Sequence, residues 1–347
     1  MRSIAIIAAV LAVAPSLAHA GQAAYTVTDV GTIPGTHVSV AFAINNAGQV
    51  VGWGQGPGSQ VRPFLYTPGT GIVELPLPEG FSEGYATDIS NNGIVVGMAK
   101  NGLAANEARA WRMVGGVIEL LPPFPSSCPG MVPDAVNDLG DVVGSTCPDS
   151  GGPINPWFFS DETGLVDLIP FGIGTAVDIN DARVVTGQSS ARPAYRWQAP
   201  AGPLELLRPL PAPHEDGATG LALNESGEIA GYGIRALSGP DHWRAFSAGR
   251  GRQRTTLVDY PGPARSGGYG INEKGVVVGN SGTESTPEGT GWVWTAQTGR
   301  RNLVDLIDVP GIYGIRNAKD INDRGQIVAR ATTDAPYGAI VVLTPTR

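Results

Sequence analysis

A nine-residue phrase recurs seven times along the chain, and this recurrence limits the possible folds more than any other feature. The copies are INNAGQVVG from Ile44, ISNNGIVVG from Ile89, VNDLGDVVG from Val136, INDARVVTG from Ile179, LNESGEIAG from Leu223, INEKGVVVG from Ile271 and INDRGQIVA from Ile321. Successive copies start 43 to 50 residues apart, close to the roughly 40–45 residues of a four-stranded propeller blade. The spacing therefore predicts one blade per copy.

Each copy contains the residues of a tight turn between two strands. Asn and Asp side chains bond to nearby backbone, Gly adopts positive φ, and the apolar residues that follow form the second strand. In the fourth copy Arg183 replaces the Gly. We expect that turn to be strained or built differently.

Two further motifs follow each copy and supply the remaining strands. Aromatic and β-branched runs such as RPFLY at Arg62 and ARAWRM at Ala108 are typical third strands, and runs such as GIVELP and NLVDLID are typical fourth strands. The last copy lacks a fourth strand downstream, whereas AYTVTDVGTIP, residues 24–34, precedes the first copy. We therefore predict an all-β, seven-bladed β-propeller whose ring is closed by the N-terminal strand completing the last blade.

The first 20 residues read as a secretory signal peptide. Arg2 precedes an apolar run from Ile4 to Val13, and Ala18 and Ala20 form a small-residue cleavage site. We expect residues 21–347 to form a single propeller domain that is exported to the periplasm or the extracellular space without a membrane anchor.

The composition excludes some partners. The chain has 31 acidic against 23 Lys and Arg residues, so its surface repels phosphate polymers and we expect no nucleic acid to bind. Its 49 Gly indicate many turns, yet 42% hydrophobic residues argue against disorder. We expect a monomer.

The repeat pattern resembles a known family. An IN-x-x-G-x-VVG phrase followed by an AF-x-W-like strand and a DL-G-like strand is similar to the HAF-repeat proteins, exported bacterial proteins with a His-Ala-Phe triplet, over about residues 25–344. Here Arg62-Pro63-Phe64 and Arg109-Ala110-Trp111 stand where that family often has His. The resemblance implies an exported propeller and transfers no catalytic residues.

Cys128 and Cys147 are the two cysteines of the chain, and they bracket the third copy. The hairpin brings the ends of this segment together, and an exported protein meets an oxidising environment. We expect a disulfide bond between them. A reactive or metal-binding pair is the alternative, although no Cys-x-x-Cys spacing supports it.

Charged and aromatic residues recur in the outer strands. Arg62, Arg109 and Arg192 open third strands and can pair with Glu74, Glu119 and Glu205 in the fourth. Six of the seven Trp residues, at positions 111, 157, 197, 243, 292 and 294, lie in third strands, where we expect them to pack between blades. Trp53 is the candidate for stacking on a sugar ring, because it leads into the loop GWGQGPGSQ.

Recognisable catalytic motifs are missing from the sequence. It contains no Gly-x-Ser-x-Gly elbow, no His-Glu-x-x-His helix and no calcium loop. Two loops, PHEDG and GPDHW, place His214, Glu215 and Asp216, and Asp241 and His242, beside one another. Such a cluster could bind a metal ion or act as a general acid and base. The alternative is that these are solvated loop side chains without a chemical role.

Loop lengths indicate where a ligand binds. Connections between the second and third strands, and between blades, are long and variable, and both emerge on one face of a propeller. The binding residues predicted there are Trp53, Lys100, His214, Glu215, Asp216, Arg235, Asp241 and His242. We expect a non-enzymatic propeller that binds a peptide, protein or glycan, without a cofactor or metal. The alternatives are a hydrolase or lyase using the His/Asp/Glu cluster, or a purely structural envelope protein.

Overall fold

A computed structural model describes residues 23–56, 58, 60–102, 107–125, 130–146, 154–208, 210, 216–234, 243–249, 255–258, 265–283 and 286–346. The strands are β1 (Tyr25–Asp29), β2 (Val38–Ile44), β3 (Val50–Gln55), β4 (Val61–Thr67), β5 (Gly71–Glu74), β6 (Glu83–Ile89), β7 (Val95–Lys100), β8 (Arg109–Val114), β9 (Val117–Leu120), β10 (Met131–Val136), β11 (Val142–Thr146), β12 (Pro156–Ser160), β13 (Gly164–Asp167), β14 (Ile173–Ile179), β15 (Val184–Ser189), β16 (Ala194–Gln198), β17 (Leu204–Leu206), β18 (Gly217–Leu223), β19 (Ile229–Ile234), β20 (Trp243–Ala248), β21 (Thr255–Leu257), β22 (Arg265–Ile271), β23 (Val277–Thr283), β24 (Thr286–Thr295), β25 (Gly299–Asn302), β26 (Gly314–Ile321), β27 (Ile327–Thr332) and β28 (Ala339–Pro345). Within this described part, no helix is long and apolar enough to cross a membrane.

The strands form seven antiparallel four-stranded sheets arranged as a ring. Blades 1 to 6 take β2–β5, β6–β9, β10–β13, β14–β17, β18–β21 and β22–β25 in order, and we name the strands of a blade A to D from the axis outward. The A strands of successive blades contact one another, and β26 contacts β2 to complete the circle. The predicted seven-bladed β-propeller is confirmed.

Blade 7 joins the two ends of the chain. Its strand order is β26, β27, β28 and then β1, with Tyr25 opposite Pro345 and Asp29 opposite Val341. The Thr346 N–H extends the pairing by donating to the Ala24 carbonyl at 2.9 Å. The N-terminal strand therefore completes the last blade, as the sequence predicts.

The two faces of the ring differ. A–B and C–D connections lie on one face, which we call the turn face, whereas B–C and blade-to-blade connections lie on the other, the long-loop face. The A–B turns occupy the Ile44-type phrases, and all are tight. Arg183 adopts the left-handed conformation (φ 57°) that Gly has in the other six copies, so this turn is built in the same way, with the strain on a non-glycine residue.

The core lies mainly between neighbouring blades. Ala43 and Val51 of blade 1, for example, pack with Ala86, Val95 and Trp111 of blade 2. Trp111, Trp157, Trp197 and Trp292 are fully buried, which confirms the packing predicted for these four. Trp243 is 37% exposed and Trp294 is half-buried, so the prediction is wrong for Trp243.

Two sequence expectations about outer strands need correction. The segment NLVDLID forms a 3-10 turn at Leu303–Leu306 after the short strand β25, because residues three apart fall on one side of such a turn and both leucines are buried there. Glu119 and Glu205 pair with Arg112 and Arg196, not with the arginines at the strand starts, because these residues are directly opposite in the ladder. The Arg62–Glu74 pair (2.8 Å) is as predicted.

Candidate functional site

The seven A–B turns meet around the propeller axis and line a pocket of about 140 Å³ on the turn face. Its wall consists of the first two turn residues of the blades together with the apolar residue that precedes them. Two hydrogen-bonded circuits run through these residues. The repeated phrase therefore converges on one place in the molecule.

The inner circuit is made by the first Asn of the turn. In six blades its Nδ2 donates to the backbone carbonyl of the equivalent residue in the next blade, over 2.8 to 3.1 Å; the donors are Asn45, Asn137, Asn180, Asn224, Asn272 and Asn322. Blade 2 has Ser90, which carries no amide. There the Nδ2 of Asn92 donates to the Asp138 carbonyl instead (3.1 Å).

The outer circuit is made by the second turn residue. A backbone N–H in each turn donates to a side-chain oxygen of the next blade, and the acceptors are Asn46, Asn91, Asp138, Asp181, Glu225, Glu273 and Asp323. The circuit passes through all seven blades without a break. Burial, followed by the carboxylates of Asp138 and Asp141, raises the pKa of Asp181 even though it accepts a bond from the Asp138 N–H.

Three aspartates form a further set of clasps beneath the circuits. Asp88, Asp178 and Asp320 lie at the same repeat position, and each accepts the N–H of the following residue and an N–H from the next blade. Burial raises the pKa of Asp88 to about 6 and that of Asp320 to about 7. The pKa of Asp178 rises well above its ordinary value through burial and the Asp88 charge.

The chemistry of this pocket is structural. The carboxylates at its mouth accept backbone N–H groups and thereby tie one blade to the next. Within the described part of the chain, no three Asp, Glu, His or Cys side chains are grouped so that they could hold a metal ion.

Each A strand contains a bulge, where at least one residue is not paired with the B strand. These unpaired residues form a second ring. In blade 3 the unpaired residue is Asp134, and in blades 6 and 7 the unpaired residues include Tyr269 and Lys319. The Lys319 ammonium lies 5.2 Å from the Tyr269 ring centroid. Asp134 is exposed by its accessible surface, yet loss of hydration inside the ring of A strands raises its pKa to about 7.

Three of the predicted binding residues lie in the described part of the chain. Trp53 is half-buried in β3, opposite Pro63, Lys100 ends β7 opposite Glu83, and Asp216 is exposed just before β18. These belong to blades 1, 2 and 5 and are not brought together as one cluster. His214, Glu215, Arg235, Asp241, His242 and the pair Cys128 and Cys147 lie outside the described residues.

Exposed aromatic side chains mark the long-loop face. In the described part of the chain they are Trp243, Tyr313 and Tyr337, which begin β20, precede β26 and lie in the B–C loop of blade 7. The Trp243 indole stacks on the Tyr232 ring, with centroids 4.8 Å apart and planes 21° apart. The Arg265 guanidinium carbon lies 5.3 Å from the Trp243 ring centroid.

Comparison with known proteins finds likeness only among solved structures. No protein-family model and no curated protein sequence matches the chain. Virginiamycin B lyase from Staphylococcus aureus is 14% identical, over 93% of this chain and 100% of the lyase, with a TM-score of 0.58. Oligogalacturonate lyase from Vibrio parahaemolyticus is 11% identical, over 92% and 93% of the two chains, with a TM-score of 0.57.

A third similar structure differs in how its ring closes. The β-propeller domain of the Trilobed protease from Pyrococcus furiosus is 12% identical, over 90% of this chain and 96% of that domain, with a TM-score of 0.56, and it has an open velcro topology. Here β1 closes the ring. The likeness shows the fold alone. Propellers of this kind include enzymes, so the fold does not select a function.

Sequence reasoning missed the Tyr232, Trp243 and Arg265 cluster. It placed Trp243 among the buried aromatic residues that pack between blades. In blade 5 that position is filled by Phe246, which lies opposite Gly231 just as Trp111 lies opposite Gly97 in blade 2. An alignment of the third strands on that glycine would have revealed the difference, because Trp243 then lies three residues before the position of the buried aromatic residue. The partners Tyr232 and Arg265 come from other strands, and no local pattern relates them.

Proposed function

We propose that the protein is an exported, non-enzymatic binding propeller that takes a peptide, protein or glycan on its long-loop face. The observation that carries this proposal is the distribution of exposed aromatic side chains. Trp243, Tyr313 and Tyr337 are all on that face, and exposed aromatic residues are typical of binding surfaces.

The turn face supports the proposal by contrast. Its axial pocket is lined by side chains that already bond to the backbone of the neighbouring blade. A ligand there would have to compete with bonds that hold the blades together. The long-loop face has no such continuous circuit among its described residues.

The test compares matched variants on the two faces. The mature protein is presented to a glycan array and a displayed peptide library. We expect the triple variant Trp243→Ala, Tyr313→Ala, Tyr337→Ala to lose captured ligands. The control variant Val114→Ala, Val117→Ala, Leu139→Ala removes exposed apolar side chains from the turn face and should bind as the wild type does. Equal loss in both variants would contradict the proposal.

A hydrolase or lyase remains the competing hypothesis, with His214, Glu215, Asp216, Asp241 and His242 as its residues. Elemental analysis of the purified mature protein separates it from a binding role. A stoichiometric metal that is lost in the His214→Ala, His242→Ala double variant would favour the enzyme.

A further inference from the structure

Trp243 lies outside the buried aromatic layer of its blade. Blade 5 fills its packing layer with Phe246, which is fully buried, whereas Trp243 is 37% exposed. Exposing a large aromatic side chain forgoes burial free energy. A role at the surface explains its presence better than packing does.

The cluster around Trp243 is held by three strands of two blades. Tyr232 lies in β19, Trp243 begins β20 and Arg265 begins β22 of the next blade. All three strands are paired on regular ladders at these residues. The stack of Tyr232 on Trp243, with Arg265 5.3 Å from the indole centroid, is therefore formed before any ligand arrives, which reduces the ordering cost of binding.

Aromatic and cationic groups continue from this cluster toward the axis. Tyr269 lies at the bulge of β22, the strand that Arg265 begins, and β22 packs against β19, which carries Tyr232. Lys319 of blade 7 lies 5.2 Å from the Tyr269 ring centroid. The stripe thus crosses blades 5, 6 and 7.

This alternation of flat rings and nitrogen donors suits a chain of sugar rings. Pyranose C–H groups pack on aromatic faces, and hydroxyl or carboxylate oxygens accept hydrogen bonds from guanidinium and ammonium groups. A guanidinium has five N–H donors and can serve more than one partner. A peptide bound by strand addition would need an open strand edge, whereas β19 and β20 are each paired on both sides in blade 5, and the unpaired edge of β22 faces the propeller axis.

We propose that Tyr232, Trp243 and Arg265 form an oligosaccharide-binding subsite, with the stripe toward Lys319 continuing it. This inference rests on the proposed function, because it names the ligand class and the place on the long-loop face. Neutral and acidic glycans share the pyranose ring that this subsite would recognise, and the binding experiment distinguishes between them.

The experiment measures binding of hexasaccharides of glucose, N-acetylglucosamine and galacturonic acid by isothermal titration calorimetry. We expect the wild type to bind one of these classes, and Trp243→Ala to weaken that binding about tenfold, equivalent to about 1.4 kcal/mol. Ile154→Ala, an exposed apolar change in the B–C loop of blade 3 on the same face, is the control and should leave affinity unchanged. Arg265→Gln should weaken an acidic glycan more than a neutral one.

Folding and site occupancy have separate readouts. Thermal melting checks that each variant is folded, and Trp243→Phe keeps an aromatic ring while removing the indole. Binding at this site should shift the tryptophan emission of the wild type, and the shift should be absent in Trp243→Phe even though that variant retains part of the affinity.

The outcomes distinguish this inference from the proposed function. If all three hexasaccharides fail to bind while a library peptide binds and the triple aromatic variant loses it, the sugar subsite is wrong and the binding function stands. If a hexasaccharide binds equally to the wild type and Trp243→Ala, the location is wrong. If neither sugars nor peptides bind, both proposals fail.

Discussion

The first Asn of each repeat acts in its own turn and in the next blade at the same time. In blade 6, Asn272 Oδ1 accepts the N–H groups of Lys274 and Val276, and its Nδ2 donates to the carbonyl of Asn322. The side chain is almost fully buried. One short polar residue therefore stabilises the hairpin and links neighbouring blades, which explains why the phrase is so similar in every repeat.

Completing the inner circuit should stabilise the protein. Ser90 accepts the Ile94 N–H but has no amide to reach the Asn137 carbonyl, so Ser90→Asn should add about 1 kcal/mol to the free energy of unfolding. Asn272→Ala should lower it by about 3 kcal/mol, because it leaves buried backbone groups without partners. Urea denaturation measures both. A Ser90→Asn variant that is less stable than the wild type would contradict a stabilising role for the inner circuit.

Asp134 should make stability depend on pH. Its folded pKa of about 7 is above the ordinary value, so the stability that it contributes is fully present below the unfolded pKa and is lost as pH rises through about 7. We expect Asp134→Asn to melt like the wild type near pH 4 and at a higher temperature near pH 8. Thr87→Asn, at the equivalent bulge of blade 2, removes no charge and should leave the pH dependence unchanged.

At the scale of the element, the B strand requires Gly where it passes the bulge of the A strand. A Cβ on Gly144 would overlap the Val132 carbonyl and come within 2.5 Å of the Trp157 ring. Five other blades have Gly at this position. Blade 7 has Ala329 instead, and there the ladder gap of the A strand is wider, between Arg316 and Asp320.

Substitution of this Gly should therefore be severe. We expect Gly144→Ala to destabilise the protein by about 3 kcal/mol or more, because backbone and a buried indole must both move. Ala329→Gly makes the opposite change in a blade built for Ala and should cost only about 1 kcal/mol. Thermal melting measures the destabilisation of both variants. Equal losses of stability would mean that the bulge is not what requires Gly in the B strand.

At the scale of the whole molecule, ring closure depends on one five-residue strand. A chain that begins at Val30 lacks β1 and leaves the apolar edge of β28 unpaired. Exposed edges of this kind associate, so we expect a lower melting temperature and concentration-dependent oligomers in light scattering. A chain beginning at Ala23 is the control. Added peptide 21–31 should reverse this association, and a truncated chain that behaves like the wild type would argue against a closing role for β1.

Local patterns were enough to predict the number of blades and how the ring closes. Turn residues and strand-length apolar runs act over a few positions, so the seven phrases and the unmatched strand at residues 24–34 could be read directly. The same patterns placed Trp243 in the core and paired Arg109 with Glu119. Both errors concern which residues face each other across strands, and this depends on register.

The sequence alone thus determined the repeated hairpin, the seven blades and their closure, because those follow from local turn chemistry and periodicity. Only the tertiary structure decided that Asn46 meets Asp323, that burial together with Asp88 and Asp320 raises the pKa of Asp178, and that Trp243 lies exposed beside Tyr232 and Arg265. These residues are brought together by the angle between blades, which is set by packing around the whole ring. Proximity across a ring of this kind has no signature in any local stretch of sequence.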